Sequence, residues 1–204
     1  MSDIVHSRLK VARFKDLNDP FELMALSFAY GQVRRLVREY RAGFDATTGL
    51  VCFSEDWTSP VMWSHYADKH KGICLGFDVR RSSVKQVDYK EKRLLPDLGG
   101  SEEPFGLTEA HRDTLNRTKC HEWKYEREWR MFVDLATASE EGAFYFRDFD
   151  KDIRLAEVIL GNDCELSAEE VRRVVDRHHA KVCVYKARLA IKHFKVVPVE
   201  SSVP

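Results

Sequence analysis

An α+β fold in a single domain, 1–204, with a largely antiparallel sheet and flanking helices, is what this sequence predicts. Three observations carry the prediction. Apolar segments of strand length recur with turn signals between them, at Leu50–Ser54, Ile73–Val79, Leu155–Leu160, Lys181–Tyr185 and Lys192–Val199. Helical signals do not alternate with them as regular crossovers, which argues against a parallel α/β sheet. A length of 204 residues with 44% hydrophobic content, including 12 Phe and 4 Trp, is enough for one domain with a real core.

The elements follow in order. Residues 8–13 suit a short strand. Asn18-Asp19-Pro20 reads as a helix start, with Asp19 as N-cap and Pro20 in the first turn; the spacing from Asp19 to Glu22 also suits a capping box. Phe21, Met24, Ala25, Phe28, Val33, Leu36, Val37 and Tyr40 keep helical spacing across a weak point at Gly31. Arg34, Arg35, Arg38 and Arg41 read as a solvated helix face, with contact to an anionic ligand or nucleic acid as the alternative. Thr47-Thr48-Gly49 turns into the strand Leu50–Ser54. Pro60 opens a short helix, Gly72 ends it, and the strand Ile73–Val79 follows, with residues 84–89 predicted to pair with it. Residues 92–106, rich in Pro, Gly and charge, predict a surface loop, and 107–120 a helix. Residues 123–133 alternate large and charged side chains in their first half, as a strand with one wet face does, and 143–147 would pair with them. Gly161 closes the strand Leu155–Leu160. Ser167 caps a helix over 168–179, with Glu169 and Glu170 in its first turn to complement the helix dipole.

Charge and composition narrow the function. Lys+Arg and Asp+Glu are equal at 33 each, so the chain as a whole has no electrostatic footprint for non-specific nucleic-acid binding. No apolar run is long enough to span a bilayer, and the first residues hold no apolar signal core. The five cysteines form no Cys-x-x-Cys pair, and Cys52, Cys74 and Cys183 sit in apolar strand patterns as small buried hydrophobes. These features point to a cytoplasmic protein with no membrane partner.

Two clusters carry chemistry. Trp63, His65, Tyr66 and His70 lie on the helix after Pro60, where Trp63, Tyr66 and His70 share a face and His65 looks elsewhere. Such groups stack on flat ligands; a core role for Trp63 and Tyr66 is the plainer reading. His65 and His70 are five apart, which is not the pair of a zinc helix, and no metal site is expected. In the second cluster a strand would put Glu126, Glu128 and Arg130 on one face and Arg127, Trp129 and Met131 on the other. That row is either a polar solvent face or a carboxylate held by Arg130 at the edge of a cleft.

The ordered set Asn18-Asp19-Pro20-Phe21-Glu22, Cys52-Phe53-Ser54-Glu55, Met62-Trp63-Ser64-His65-Tyr66-Ala67-Asp68, His70-Lys71-Gly72-Ile73-Cys74-Leu75-Gly76-Phe77-Asp78, then Lys119, Trp123, Tyr125-Glu126 and Glu128-Trp129-Arg130 resembles a bacterial domain-of-unknown-function family (DUF2971-like). A more distant similarity links the strand–Pro60-Val61-Met62–helix–strand pattern and the strand bearing Glu128 to DNA-modifying ADP-ribosyltransferase toxins. That similarity implies an ADP-ribosyltransferase-like fold and NAD as the bound nucleotide. It makes Glu128 the catalytic carboxylate, with Arg130 and His65 beside it. Trp63, Tyr66, His70, Glu126, Phe53 and Ser54 become ligand contacts. It implies a toxin or phage-defence role with a nucleic acid or protein as acceptor. The family's first strand, Tyr-Lys-Tyr, has no counterpart at Met1-Ser2-Asp3-Ile4-Val5-His6, which leaves Arg8 or Arg13 to hold NAD. The whole reading expects the acidic row and the aromatic helix to meet at one pocket. A non-catalytic nucleotide- or protein-binding module, and a metal-dependent nuclease or hydrolase using Glu126 and Glu128, are the alternatives.

Overall fold

The computed structural model describes residues 1–27, 31–95 and 106–199. Its elements run α1 (Ser2–Val5), β1 (Arg8–Val11), α2 (Gly31–Thr47), β2 (Thr48–Ser54), α3 (Pro60–Tyr66) and β3 (Ile73–Val79). There follow β4 (Lys85–Gln86), β5 (Asp88–Lys90), α4 (Glu109–Arg117), β6 (Thr118–Cys120), β7 (Glu128–Asp134), β8 (Ser139–Glu141) and β9 (Phe144–Asp148). The chain ends with β10 (Ile153–Leu160), α5 (Ala168–His178), β11 (Cys183–Leu189) and β12 (Val196–Pro198). The fold is α+β, with mainly antiparallel pairing. Its residues group into two compact units, each assembled from separated segments.

The first unit comprises Met1–Lys10, Ser54–Ser83 and Arg147–Pro204. Its sheet has the order β12-β11-β10-β3. β10 runs antiparallel to β3 and parallel to β11, and α5 makes the crossover that a parallel pair needs. One such crossover therefore exists where the sequence pattern suggested none. Alternation along β10 sends Val158 and Leu160 to one side, among Ile4, Val171, Val175 and Val184, and Ile159 to the other, among Trp63, Ala67, Tyr185 and Val196. Leu155 shares the side of Val158 although three residues separate them, because a bulge between Leu155 and Glu157 shifts the phase. Ser167 caps α5 in a full capping box with Glu170, as its sequence predicts.

The second unit comprises Val11–Phe53 and Val84–Phe146. Its three-stranded sheet has the order β2-β7-β4, and a parallel pair, β5-β6, lies apart from it. Helices α2 and α4 pack through Val33, Val37 and Leu115, and a second cluster joins Phe14, Leu23 and Leu50 to Phe44 and Phe132.

Several expectations are corrected here. No helix begins at Pro20: the Asp19 carboxylate accepts the Phe21 N–H at 2.9 Å and Leu23 has a φ of +58°, a left-handed value that no helix continues. Leu26 instead bridges to Leu94, helix α2 spans Gly31–Thr47, and Phe28 lies outside the described residues. Residues 84–89 split into β4, which pairs with β7, and β5, which pairs with β6. Residues 121–126 form a 3-10 turn rather than the first half of a strand. β9 pairs with β8, where residues 123–133 were expected as partner. Cys52 is exposed and Cys74 and Cys183 are half-buried rather than buried. Most of the 92–106 loop lies outside the described residues.

Candidate functional site

The second unit gathers five charged side chains in its interior. Glu22, Lys119, Glu126, Glu128 and Arg130 are all buried, and Arg130 is wholly inaccessible. The sequence pattern placed Glu126, Glu128 and Arg130 in one strand row; the structure brings the three together by another route. Glu126 ends the 3-10 turn, Arg127 adopts a left-handed φ of +47°, and Glu128 opens β7. That reversal lets both glutamates reach one ammonium: Lys119 Nζ donates to Glu126 Oε2 and, at 3.0 Å, to Glu128 Oε2. Lys119 also stands 5.0 Å from the centre of the Trp123 ring.

Arg130 uses every face of its guanidinium. Its Nε donates to Glu128 Oε1 at 2.8 Å, and its Nη2 donates to Glu22 Oε1 at 2.7 Å and to Glu128 Oε2 at 3.2 Å. Its Nη1 donates to the Asn116 carbonyl at 3.0 Å. The solvent-face reading of the acidic row is thereby overturned. An alternating strand pattern cannot distinguish a wet face from a buried, fully paired one, and pairing is what makes the burial tolerable.

The three carboxylates do not share the two cations equally. Burial pushes Glu128 up, but Arg130 and Lys119 outweigh it and hold the carboxyl down to about 2. Burial also raises Glu22, and there Arg130 does not fully offset it; its Oε2 has no hydrogen-bond partner. Lys119 and Arg130 are held charged by the carboxylates despite their desolvation. The Glu128 N–H donates to the Tyr89 hydroxyl at 2.8 Å, and burial raises that phenol to about 12. On β2 the exposed Cys52 thiol donates to Glu128; crowding by protein, then the Glu128 charge, push the thiol well above its ordinary value.

Along β7, Phe132 and Asp134 follow Glu128 and Arg130 on the same face. They line an open depression of about 430 Å³ with Phe44, Thr47, Thr48 and Asn116. Asn116 ties it to the charge cluster, since its carbonyl takes Arg130 and its Oδ1 accepts the Tyr40 hydroxyl at 2.8 Å.

In the first unit, Ser59 caps α3 and Pro60 opens it. Trp63, expected as a ligand contact, is buried: its Nε1–H donates to the Trp57 carbonyl at 2.6 Å, and its ring stacks on His70 at 6.2 Å. His65 and Tyr66 are exposed on the same helix. Ser54 accepts the Asp56 N–H at 3.2 Å and Phe53 is half-buried. After α3, Asp68, Lys69 and His70 take consecutive left-handed φ values of +44°, +54° and +70°. Each costs roughly 1–2 kcal/mol, and bonds from His70 N to Trp63 O and from Gly72 N to Ala67 O hold the turn. Gly161 packs against it so closely that a Cβ would stand 2.0 Å from the His70 carbonyl oxygen.

Arg13, a proposed NAD-holding residue, is committed to Asp45, at 3.2 Å from Oδ2. Among the described residues no group of three or more His, Cys, Asp or Glu is arranged to hold a metal ion. Glu126 and Glu128 both accept from the Lys119 ammonium. Among the described residues no helix is long and apolar enough to cross a membrane.

Residues 62–95 match a family described as a protein of unknown function (DUF2971), which supports the family resemblance over α3, β3 and the strands that follow. No curated protein and no solved structure matches the chain.

Glu22 and Lys119 in the charge cluster, and Cys52 beside it, stand in the motifs of the family resemblance, but no local pattern in the sequence brings them together. Glu22 reads locally as part of a helix cap, and its partner Arg130 is 108 residues away. Lys119 sits at a helix-to-strand junction with no periodic signal. Cys52 follows an apolar strand pattern that hides its exposure.

Proposed function

We propose that this chain is an NAD-consuming enzyme of the ADP-ribosyltransferase type, with Glu128 as the catalytic carboxylate and NAD as substrate. The observation that supports the reading is a carboxylate held at about 2, and so charged at neutral pH, at the head of a strand next to the exposed Cys52. Cleavage of the nicotinamide–ribose bond develops positive charge on the ribose, and a fixed carboxylate lowers the energy of that state. Arg130, wholly buried, is a positioning residue that sets the Glu128 rotamer. His65 and Tyr66 are candidate contacts for a flat ring in their own unit, whereas Trp63 is not. A nucleic acid or protein acceptor, and a toxin or defence role in the cytoplasm, belong to the same proposal.

The test is nicotinamide release by the purified chain. Glu128→Gln should lower turnover by roughly 100-fold or more while circular dichroism shows it folded. A folded variant that consumes NAD at the parent's rate removes Glu128 from the chemistry.

One observation favours a non-catalytic reading: Arg130 and Lys119 already engage both oxygens of Glu128. A nucleotide-binding module would then show a thermal shift with NAD or ADP-ribose and release no nicotinamide.

A further inference from the structure

The connection between β11 and β12 breaks the burial pattern of the whole chain. Ile191 is 92% exposed and Phe194 101% exposed, and Leu189 at the end of β11 is exposed as well. The core of this unit buries comparable side chains almost completely. The turn is not loosely held at its base. Leu189 pairs with Val196, the Ala190 N–H donates to the Lys195 carbonyl at 2.9 Å, and the Val196 N–H donates to the Thr58 carbonyl at 2.9 Å. A firm hairpin base therefore presents two large apolar side chains to water.

The charged side chains of the turn itself have one sign. Lys192, His193 and Lys195 are exposed beside Ile191 and Phe194, and Arg188 stands half-buried at the base. From Arg177 to Val199 the sequence contains no Asp or Glu, in a chain whose acidic and basic residues balance overall at 33 each. An apolar tip threaded with lysines fits a surface that is apolar beneath and anionic on top.

We propose that the β11–β12 tip docks on an anionic lipid surface, with Ile191 and Phe194 entering the headgroup–acyl boundary and Lys192 and Lys195 meeting acidic headgroups. A phosphodiester strand would satisfy the lysines but leave Ile191 in water; an anionic bilayer takes both. The expectation of no membrane partner rested on spanning and signal segments, and surface attachment needs neither. The proposal is independent of NAD turnover, because every residue in it belongs to the tip.

Co-sedimentation tests it, with vesicles of phosphatidylcholine alone and of phosphatidylcholine mixed with phosphatidylserine. The intact chain should bind the mixed vesicles, lose binding as salt rises, and bind the neutral ones weakly. Lys192→Gln with Lys195→Gln should lower partitioning by roughly 30-fold. Ile191→Asp with Phe194→Asp should abolish it and leave thermal unfolding unchanged. Failure of the intact chain to bind mixed vesicles, or parent-like binding by the Ile191/Phe194 variant, overturns the proposal. So does binding to a duplex or single-stranded oligonucleotide that depends on the same four residues without any vesicle binding, which would assign the tip to nucleic acid.

Discussion

Replacing Glu128 by Gln probes the buried cluster by stability as well as by activity. Lowering a carboxylate from 4.5 to about 2 corresponds to about 3 kcal/mol of stability at neutral pH. Breaking a buried ion pair from one side independently leads to a cost of roughly 3–5 kcal/mol, so the two arguments agree in size. The geometry gives the cause. A Gln oxygen can still accept from Arg130 Nε, but its NH2 would face the Lys119 ammonium, donor against donor, where Oε2 now accepts at 3.0 Å. The sign with pH follows from the direction of the shift. A carboxyl lowered by folding contributes stability above its unfolded value, and that contribution drains away as pH falls from 4.5 toward about 2. Urea unfolding at a series of pH values measures both effects. The parent should lose stability steeply across that acid window, and the variant should start about 3 kcal/mol lower with a shallower acid slope. A loss under about 1 kcal/mol with an unchanged slope would refute the description of Glu128 as a buried, ionised, doubly paired group.

Glu22 should behave in the opposite sense. Its carboxyl is raised by burial, so its contribution is full below the ordinary carboxylate range and is lost as pH rises through its folded value. Glu22→Gln should therefore cost less stability at neutral pH than Glu128→Gln does in the same urea assay. Gly161→Ala tests the left-handed turn in the other unit. Its Cβ would meet the His70 carbonyl oxygen at 2.0 Å, and neither backbone can yield cheaply, so calorimetry should show a loss of roughly 1–3 kcal/mol.

Much of the first unit was legible because its signals are local. Pro60 after Ser59, the alternation of Ile73–Val79, Gly161, and the Ser167–Glu170 capping box each act within a few residues, and α3, β3, β10 and α5 stand where those signals put them. The second unit was harder because its decisive partners are distant. Helical spacing from Phe21 onward is real, yet Leu23 is left-handed and Glu22 reaches across the fold to Arg130. The alternation at 123–129 mimics a strand, but Arg127 reverses the chain so that Glu126 and Glu128 share Lys119. Glu128 and Arg130 were picked out correctly as a pair, while their burial was not, because periodicity reports which side chains share a face and not what covers it. For Trp63 the plainer reading, a core role, fits the structure: an aromatic at helical spacing serves a core as readily as a ligand, and here it packs on Ile159 and Tyr185.

Arg130 and Lys119 keep Glu128 charged inside the protein, while Glu22, in the same cluster, is the carboxyl that holds a proton more readily. Carboxyl-carbon NMR of a Glu-labelled sample, titrated against pH and assigned with the two Gln variants, measures this directly. Glu128 should stay ionised until about pH 2, and Glu22 should titrate above the ordinary glutamate value. Glu128 titrating at an ordinary value, or Glu22 titrating below Glu128, would contradict it.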